Sequence, residues 1–195
     1  MPAEGPNPLE ALLSRRSVPA LQLSEPGPTP GQIATAIDAA LCAPDHGALK
    51  PLRMVFIRGD ARARLSELLS RRMLERDPPS PPGKIDKTRR MLSTAPLVIA
   101  VGARVAVSPK VPELEQLFSA AAGIMNLLNA FHALGYGAIW LTGPNAYDPQ
   151  VAESLRFAAD ERCLGFVYVG TVASSNKSPA LRRLDHAGVV RDWTG

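Results

Sequence analysis

The sequence predicts one domain, residues 1–195, in which helices and strands mix without the strict alternation that marks a doubly wound parallel sheet. A chain of 195 residues suits a single well-filled core. Apolar content of 46% against 21% charged excludes a disordered chain. Apolar residues recur at three- and four-residue steps in some stretches and form short unbroken runs in others, so both helices and strands are expected.

In chain order, Asn7-Pro8 offers a cap and a first-turn proline, and Leu9, Leu12 and Leu13 then share one helical face. That helix must stop near Arg15-Arg16-Ser17, because Pro19 cannot continue it. Thr29-Pro30-Gly31-Gln32 is a capping box that opens a second helix through Ile33, Ile37 and Leu41, closed by Pro44. Residues 45–51 read as loop, and Met54-Val55-Phe56-Ile57 as a buried strand. Asp60 is expected to cap a third helix carrying Leu65, Leu68, Leu69 and Met73. The proline-rich residues 77–83 read as a surface loop or lid, followed by a short charged helix over 84–92 and a strand over 97–101.

The longest feature is residues 113–134, where Leu114, Leu117, Phe118, Ala121, Ile124, Met125, Leu128 and Phe131 keep a helical period. This helix is apolar on nearly every side, which predicts burial all round. Small residues from Ser119 to Gly123 allow another backbone to approach closely, and Gly135 supplies the stop. An inner strand at 138–141 follows, then a helix near 148–157 with an Asp-Pro start, and a last strand over 164–169. The tail from Thr171 onward is polar, basic and poorly periodic.

Composition narrows the function. The net charge of +4 is spread in short pairs along the chain, which disfavours nucleic acid and suits a small anionic molecule equally well. Cys42 and Cys163 both stand in apolar surroundings and are expected to be buried free thiols in a reducing compartment. The N-terminal residues lack a basic start and an apolar run, and residues 96–103 are too short to span a bilayer, so the cytoplasm is the expected location. No dinucleotide fingerprint, phosphate loop or metalloprotease motif is present. His46, His132 and His186 lack ligand spacing, so no metal site is expected.

Three stretches carry candidate chemistry. Arg15-Arg16-Ser17 ends a helix, where paired guanidiniums and a hydroxyl match phosphate oxygens, although two arginines complementing the helix dipole are the plainer reading. The loop over residues 43–51 holds Asp45, His46 and Lys50 between a helix and a core strand, where binding groups are held firmly; a solvated Asp-His pair is the alternative. Residues 135–143 join glycines, Trp140 and Thr142 behind the long helix; a buried strand with a cap glycine explains them as well.

Taken together, Arg15-Arg16-Ser17, the Ala43-Pro44-Asp45-His46 loop and the buried helix leading to Gly135-Tyr136-Gly137-Ala138-Ile139-Trp140 resemble the FMN-dependent nitroreductase family, most closely its small members. The resemblance implies an α+β sandwich, a mixed central sheet covered by helices, assembled as an intertwined homodimer with two flavins at the interface. It implies that Arg15, Arg16 and Ser17 hold the FMN phosphate and ribityl chain, and that His46 reaches the flavin from the partner subunit. Trp140 and Thr142 match the strand behind the flavin ring. Ala130, Phe131, His132, Ala133, Leu134 and Gly135 match the segment assigned to the nicotinamide cofactor. Arg182 and Arg183 lie where the family often has a further phosphate-binding arginine. Cys42 and Leu141 stand where close relatives have arginines near the flavin, and Lys50-Pro51-Leu52 replaces the usual Gln-Pro-Trp.

The implied reaction passes hydride from NAD(P)H through flavin N5 to a nitroaromatic, quinone or similar small acceptor by a ping-pong sequence. Lys50 is then a candidate for balancing negative charge on reduced flavin, with a surface lysine as the alternative. A flavin-cleaving relative and a flavin-binding protein without turnover are the competing functions.

Overall fold

Prolines and short polar residues set the helix starts. In the computed structural model, which describes residues 8–76, 78–172 and 188–194, α1 spans Pro8–Ser14 and α2 spans Pro30–Leu41. The capping box of α2 is complete. The Thr29 hydroxyl accepts from the Gln32 amide at 3.3 Å, and Gln32 Oε1 accepts from the Thr29 amide at 2.9 Å, which satisfies donors that a helix start leaves open. Asn7 lies outside the described residues.

Two other starts differ from the expectation. α3, Asp60–Glu75, is capped by Gly59, so Asp60 is its first residue and complements the positive helix end without capping it. α4, Pro82–Thr94, begins inside the stretch expected to be loop. Pro82 takes the first turn, where its missing N–H leaves no bond unmade. α3 and α4 therefore pack as a helical hairpin, and the expected lid is reduced to a short connection.

The strands are β1 (Leu23–Ser24), β2 (Leu52–Arg58), β3 (Leu97–Arg104), β4 (Gly137–Leu141) and β5 (Glu161–Val172). They form one sheet in the order β1–β5–β3–β2, with β4 also paired to β5. Every pair of named strands is antiparallel, and the isolated bridge between Ser17 and Ala138 is parallel. Alternation along β3 divides the core. Leu97, Ile99 and Val101 join Val167 and Val169 beneath α2 and α5 (Glu113–Ala133). Val98 and Ala100 join Phe166 and Tyr168 beneath α3, α4 and α6 (Pro149–Ser154). Helices thus cover both faces of the sheet, as the α+β sandwich requires. The Asp148 carboxylate caps α6 through the Gln150 amide at 3.0 Å, and the helix ends before Arg156, whose φ is 62°.

Edge positions correct two expectations. Of Met54 to Ile57 only Ile57 is buried, because β2 pairs on one side alone. β4 is not an inner strand either. Among the named strands it pairs only with β5, and its other side meets the Ser17 bridge.

α5 stops as expected, with Gly135 at φ 87° after the cap residue Leu134. Close approach at Gly123 is real and comes from the same chain. A β-carbon there would lie 3.0 Å from the Ala40 carbonyl oxygen of α2. Burial all round is not observed. Ile124, Leu127 and Phe131 are buried, whereas Leu114, Phe118 and Met125 are 57%, 61% and 40% exposed. These three share a face at helical spacing, and Leu12 and Leu13 of α1 are exposed as well. Cys42 corrects another expectation: it is exposed at the end of α2, where the helix leaves the core. Cys163 is buried and its thiol is pushed up by desolvation; both cysteines are free. Among the described residues, no helix is long and apolar enough to cross a membrane.

Candidate functional site

The chain leaving α1 docks on the free side of β4. The Arg15 amide still bonds the Ala11 carbonyl at 3.1 Å, Ser17 bridges Ala138, and the Val18 amide donates to the Ala138 carbonyl at 3.0 Å. Ser14 Oγ and His132 Nε2 share a hydrogen bond at 2.9 Å, which ties the end of α1 to the last turn of α5. Burial, and then the guanidiniums of Arg15 and Arg16, hold the His132 imidazole below its ordinary range. It is therefore neutral at pH 7, beside two half-buried cations.

These contacts bring Arg15, Arg16 and Ser17 together with the segment containing Ala130 to Gly135. Not all of that segment is available to a ligand. Phe131 is core, Ala130 and Leu134 pack against the core, and Ala133 and Gly135 are exposed.

On β4, Trp140 and Leu141 point to opposite faces. Trp140 packs with the α2–α5 layer and Leu141 with the α3–α4 layer, while Thr142 is exposed just past the strand. The indole is fixed by a bulge. The β3–β5 register shifts between Val101 and Gly102, which leaves Leu164 unpaired. Its carbonyl accepts from Trp140 Nε1 at 3.1 Å. Gly165, at φ 142°, makes room for this, since a β-carbon there would stand 2.4 Å from Trp140 Nε1.

Cys42, His46 and Lys50 form a separate group in the α2–β2 connection. The Asp45 carboxylate accepts from the amides of Leu49 at 3.2 Å and Lys50 at 2.7 Å. It thereby holds Ala48 (φ 51°) and Lys50 (φ 50°) in the left-handed region. His46 Nδ1 meets Glu115 Oε2 at 2.7 Å in an exposed pair, and the Lys50 side chain is exposed. Glu115 and His132 stand 17 positions apart on α5, about 25 Å along the axis. Within one chain the two groups do not meet. Arg182 and Arg183 lie outside the described residues.

Sequence reasoning missed a third group. A cavity of about 350 Å³ between the end of α3, α4 and the end of β4 is lined by Leu141 and Thr142 together with Arg76, Lys84, Lys87 and Tyr168. Arg76 is held by the Pro144 carbonyl at 3.1 Å and by Asp148 Oδ2 at 3.4 Å, and Arg72 Nε donates to the same oxygen at 3.0 Å. Burial alone would raise the Asp148 carboxyl. The Arg72 hydrogen bond and charge, with the amides of Gln150 and Val151, instead bring it below the ordinary carboxylate range. The available signal was the spacing of Lys84, Lys87 and Thr88, which puts them on one side of a helix. A larger cavity of about 740 Å³ around α6, lined by Tyr147, Phe157 and Cys163, touches none of the residues nominated from sequence.

A family model described as the Nitroreductase family matches residues 12–171. YdjA of Escherichia coli (strain K12), whose name describes a candidate NAD(P)H nitroreductase, is 36% identical over 163 residues, covering 84% of this chain and 87% of YdjA. Among solved structures, a nitroreductase-like family protein from Bacillus cereus superposes with a TM-score of 0.78 at 20% identity, over 97% of each chain. A nitroreductase with bound FMN from Bacteroides fragilis NCTC 9343 gives 0.70 at 18% identity, over 96% of this chain and 98% of its own. The family match runs from α1 to the end of β5 and takes in both the Arg15–β4 cluster and the His46 loop. This chain belongs to the Nitroreductase family.

Proposed function

We propose that the protein is an FMN-dependent NAD(P)H oxidoreductase of the nitroreductase type, working as a homodimer with each flavin site shared between chains. The observation that carries this is the family match across residues 12–171, which includes the cationic tripeptide beside β4. The residues suit the cofactor. Two half-buried guanidiniums next to a neutral imidazole offer positive charge and paired donors to a phosphate monoester, and Ser17 adds a hydroxyl.

Bound flavin supplies the hydride chemistry. The chain binds, orients and leaves one side open. Arg15, Arg16 and Ser17 hold the phosphate and ribityl chain, and the β4 segment Trp140–Leu141–Thr142 backs the ring. Within the segment from Ala130 to Gly135, the accessible Ala133 and Gly135 and the polar His132 face the nicotinamide cofactor, while Phe131 anchors the segment in the core. NAD(P)H and a nitroaromatic, quinone or similar acceptor occupy the open side in turn.

Two features support a shared site. Leu114, Phe118 and Met125 expose an apolar stripe on α5, a face suited to a second copy. The His46 and Arg15 groups sit at opposite ends of the same helix, too far apart to serve one mononucleotide. A twofold axis that sets two α5 helices antiparallel puts the N-terminal end of one beside the C-terminal end of the other. His46, Cys42 and Lys50 of the partner subunit then complete the site, and Lys50 offers a cation where Cys42 and Leu141 lack the arginines of close relatives.

The absorbance spectrum of purified protein before and after anaerobic NADH or NADPH tests the function. The expected result is a flavin band that bleaches and returns on adding a nitroaromatic or quinone. Irreversible loss of the band would indicate flavin cleavage, and a band untouched by either nucleotide would mean binding without turnover.

A further inference from the structure

The cavity between α3, α4 and the end of β4 lies to the rear of the segment that backs the flavin ring, and Leu141 and Thr142 belong to both. Leu141 points into the α3–α4 layer and carries no charge. The charged residues of the lining are Arg76, Lys84 and Lys87, and none is acidic. The three are not equivalent. Arg76 and Arg72 share Asp148 Oδ2 at 3.4 and 3.0 Å, and Arg72 also meets Glu75 at 2.5 Å. Two cations thus face two carboxylates, and that set is close to neutral. Among the described residues neither Lys84 nor Lys87 has an ion pair, and the acid between them, Asp86, is paired with Arg89. Lys84, Lys87, Thr88 and Met91 follow at three- and four-residue steps, which turns one side of α4 toward the cavity. The two lysines therefore set the net charge of this wall.

Flavin chemistry makes that charge consequential. Hydride from NAD(P)H brings two electrons and one proton to flavin N5, and NAD(P)+ leaves. The ring, neutral when oxidised, thereby gains one negative charge spread over N1 and C2=O until a solvent proton neutralises it. A fixed cation nearby favours the reduced form and leaves the oxidised form almost untouched. A cavity of about 350 Å³ holds its lining close together. The Debye length is about 8 Å at physiological ionic strength, so salt screens the exposed lysines only in part. Leu69, Met91, Leu141 and Phe166 give the cavity apolar walls, across which charges act more strongly than through water.

We propose that Lys84 and Lys87 form a cationic rear wall that raises the reduction potential of bound FMN by stabilising its reduced, anionic form. They are positioning charges and not catalytic residues. They act across Leu141 and Thr142, from the side opposite the one where NAD(P)H and the acceptor alternate. The proposal rests on the flavin reading, and it assigns to α4 a part in the reaction that the family match does not.

Spectroelectrochemical titration of the FMN-loaded protein at pH 8 tests it, with oxidised FMN affinity measured beside it. The Lys84→Met, Lys87→Met double variant is expected to bind oxidised FMN as the wild type does. It should bind reduced FMN roughly tenfold more weakly, which lowers the potential by about 30 mV for a two-electron couple. The Lys84→Arg, Lys87→Arg variant keeps both charges and should keep the potential. Arg64→Met with Arg71→Met removes the same charge from exposed positions of α3 outside the cavity and should leave the potential near the wild-type value. High salt should shrink the difference between wild type and the methionine variant. The single lysine variants, each with a smaller shift in the same direction, serve if the double variant does not fold. An unchanged potential overturns the proposal, as does an equal shift in the α3 control or in the arginine variant. Equal weakening of oxidised and reduced FMN also overturns it, since that makes the lysines binding groups only. Failure of the flavin reading is seen separately, as colourless protein that takes up no FMN, whereas yellow protein with an unmoved potential sinks the rear wall alone.

Discussion

The two ends of α5 are built differently. At the C-terminal end, His132, Arg15 and Arg16 are half-buried and are positioned by the Ser14 hydrogen bond and the docking of Ser17 and Val18 on β4. Behind them a bulge in the sheet fixes Trp140. At the N-terminal end, Glu115 meets His46 in an exposed pair, on a loop whose left-handed residues depend on one carboxylate, Asp45. One end is held by the core of the fold and the other by a single side chain. The first is organised within one chain. The second gains its role, in the proposed dimer, from the chain beside it.

The largest expected effect tests that division directly. Arg15→Ala and His46→Ala each damage one end, and each homodimer is expected to lose FMN. Unfolding both, mixing equally and refolding gives mixed dimers as half of the total. Each mixed dimer has one doubly damaged and one intact site, so about a quarter of all sites should regain FMN. Refolded wild type provides the full-recovery control. If both residues served one site from one chain, every mixed dimer would keep two lesions and no FMN would return.

A smaller effect separates core-held from side-chain-held geometry. Gly165→Ala forces a β-carbon into Trp140 and the Leu141 carbonyl at a φ of 142°. It should cost about 2–4 kcal/mol of stability through overpacking and backbone strain. Asp45→Ala removes two amide contacts at a largely exposed turn and should cost about 1 kcal/mol. Denaturant melts rank the two. Equal losses would mean that the His46 loop is as integral to the core as the bulge.

What the sequence revealed divides along the same line. Caps and periods are local, so the α2 capping box, the Asp148 cap of α6 and the Gly135 stop were all legible. Arg15-Arg16-Ser17 could be nominated from its residue types, but its docking on β4 joins residues more than a hundred positions apart. Lys84, Lys87 and Tyr168 were overlooked because their shared cavity exists only once the α3–α4 hairpin folds onto the sheet. The start of α4 was hidden in a proline-rich stretch that loop statistics claim, although proline in a first turn is also a helix signal. For α5, composition marked apolar surface but not what covers it. Burial within the chain and burial between chains leave the same residues in the sequence, and only the fold separates Ile124 from Phe118.

The smallest effect concerns protons at the C-terminal end. Burial is the first cause of the lowered His132 value, and the fields of Arg15 and Arg16 are the second. Because the folded value lies below the ordinary imidazole value of 6.5, His132 contributes stability fully above that value. The contribution is lost as pH falls through the folded value, where the unfolded chain has already taken up its proton. A phosphate seated on the two guanidiniums offsets the second cause and leaves the first. FMN should therefore raise the His132 midpoint, and by linkage its binding should draw in protons as the solution is acidified across that window. The imidazole proton signal, assigned by comparison with His132→Asn and followed by NMR against pH, reads the change directly. Inorganic phosphate should move the midpoint in the same direction but at higher concentration, since it lacks the contacts of the ribityl chain and ring. A midpoint that stays fixed when FMN is bound would place the phosphate away from Arg15 and Arg16, and the C-terminal end of α5 would lose its claim to the flavin site.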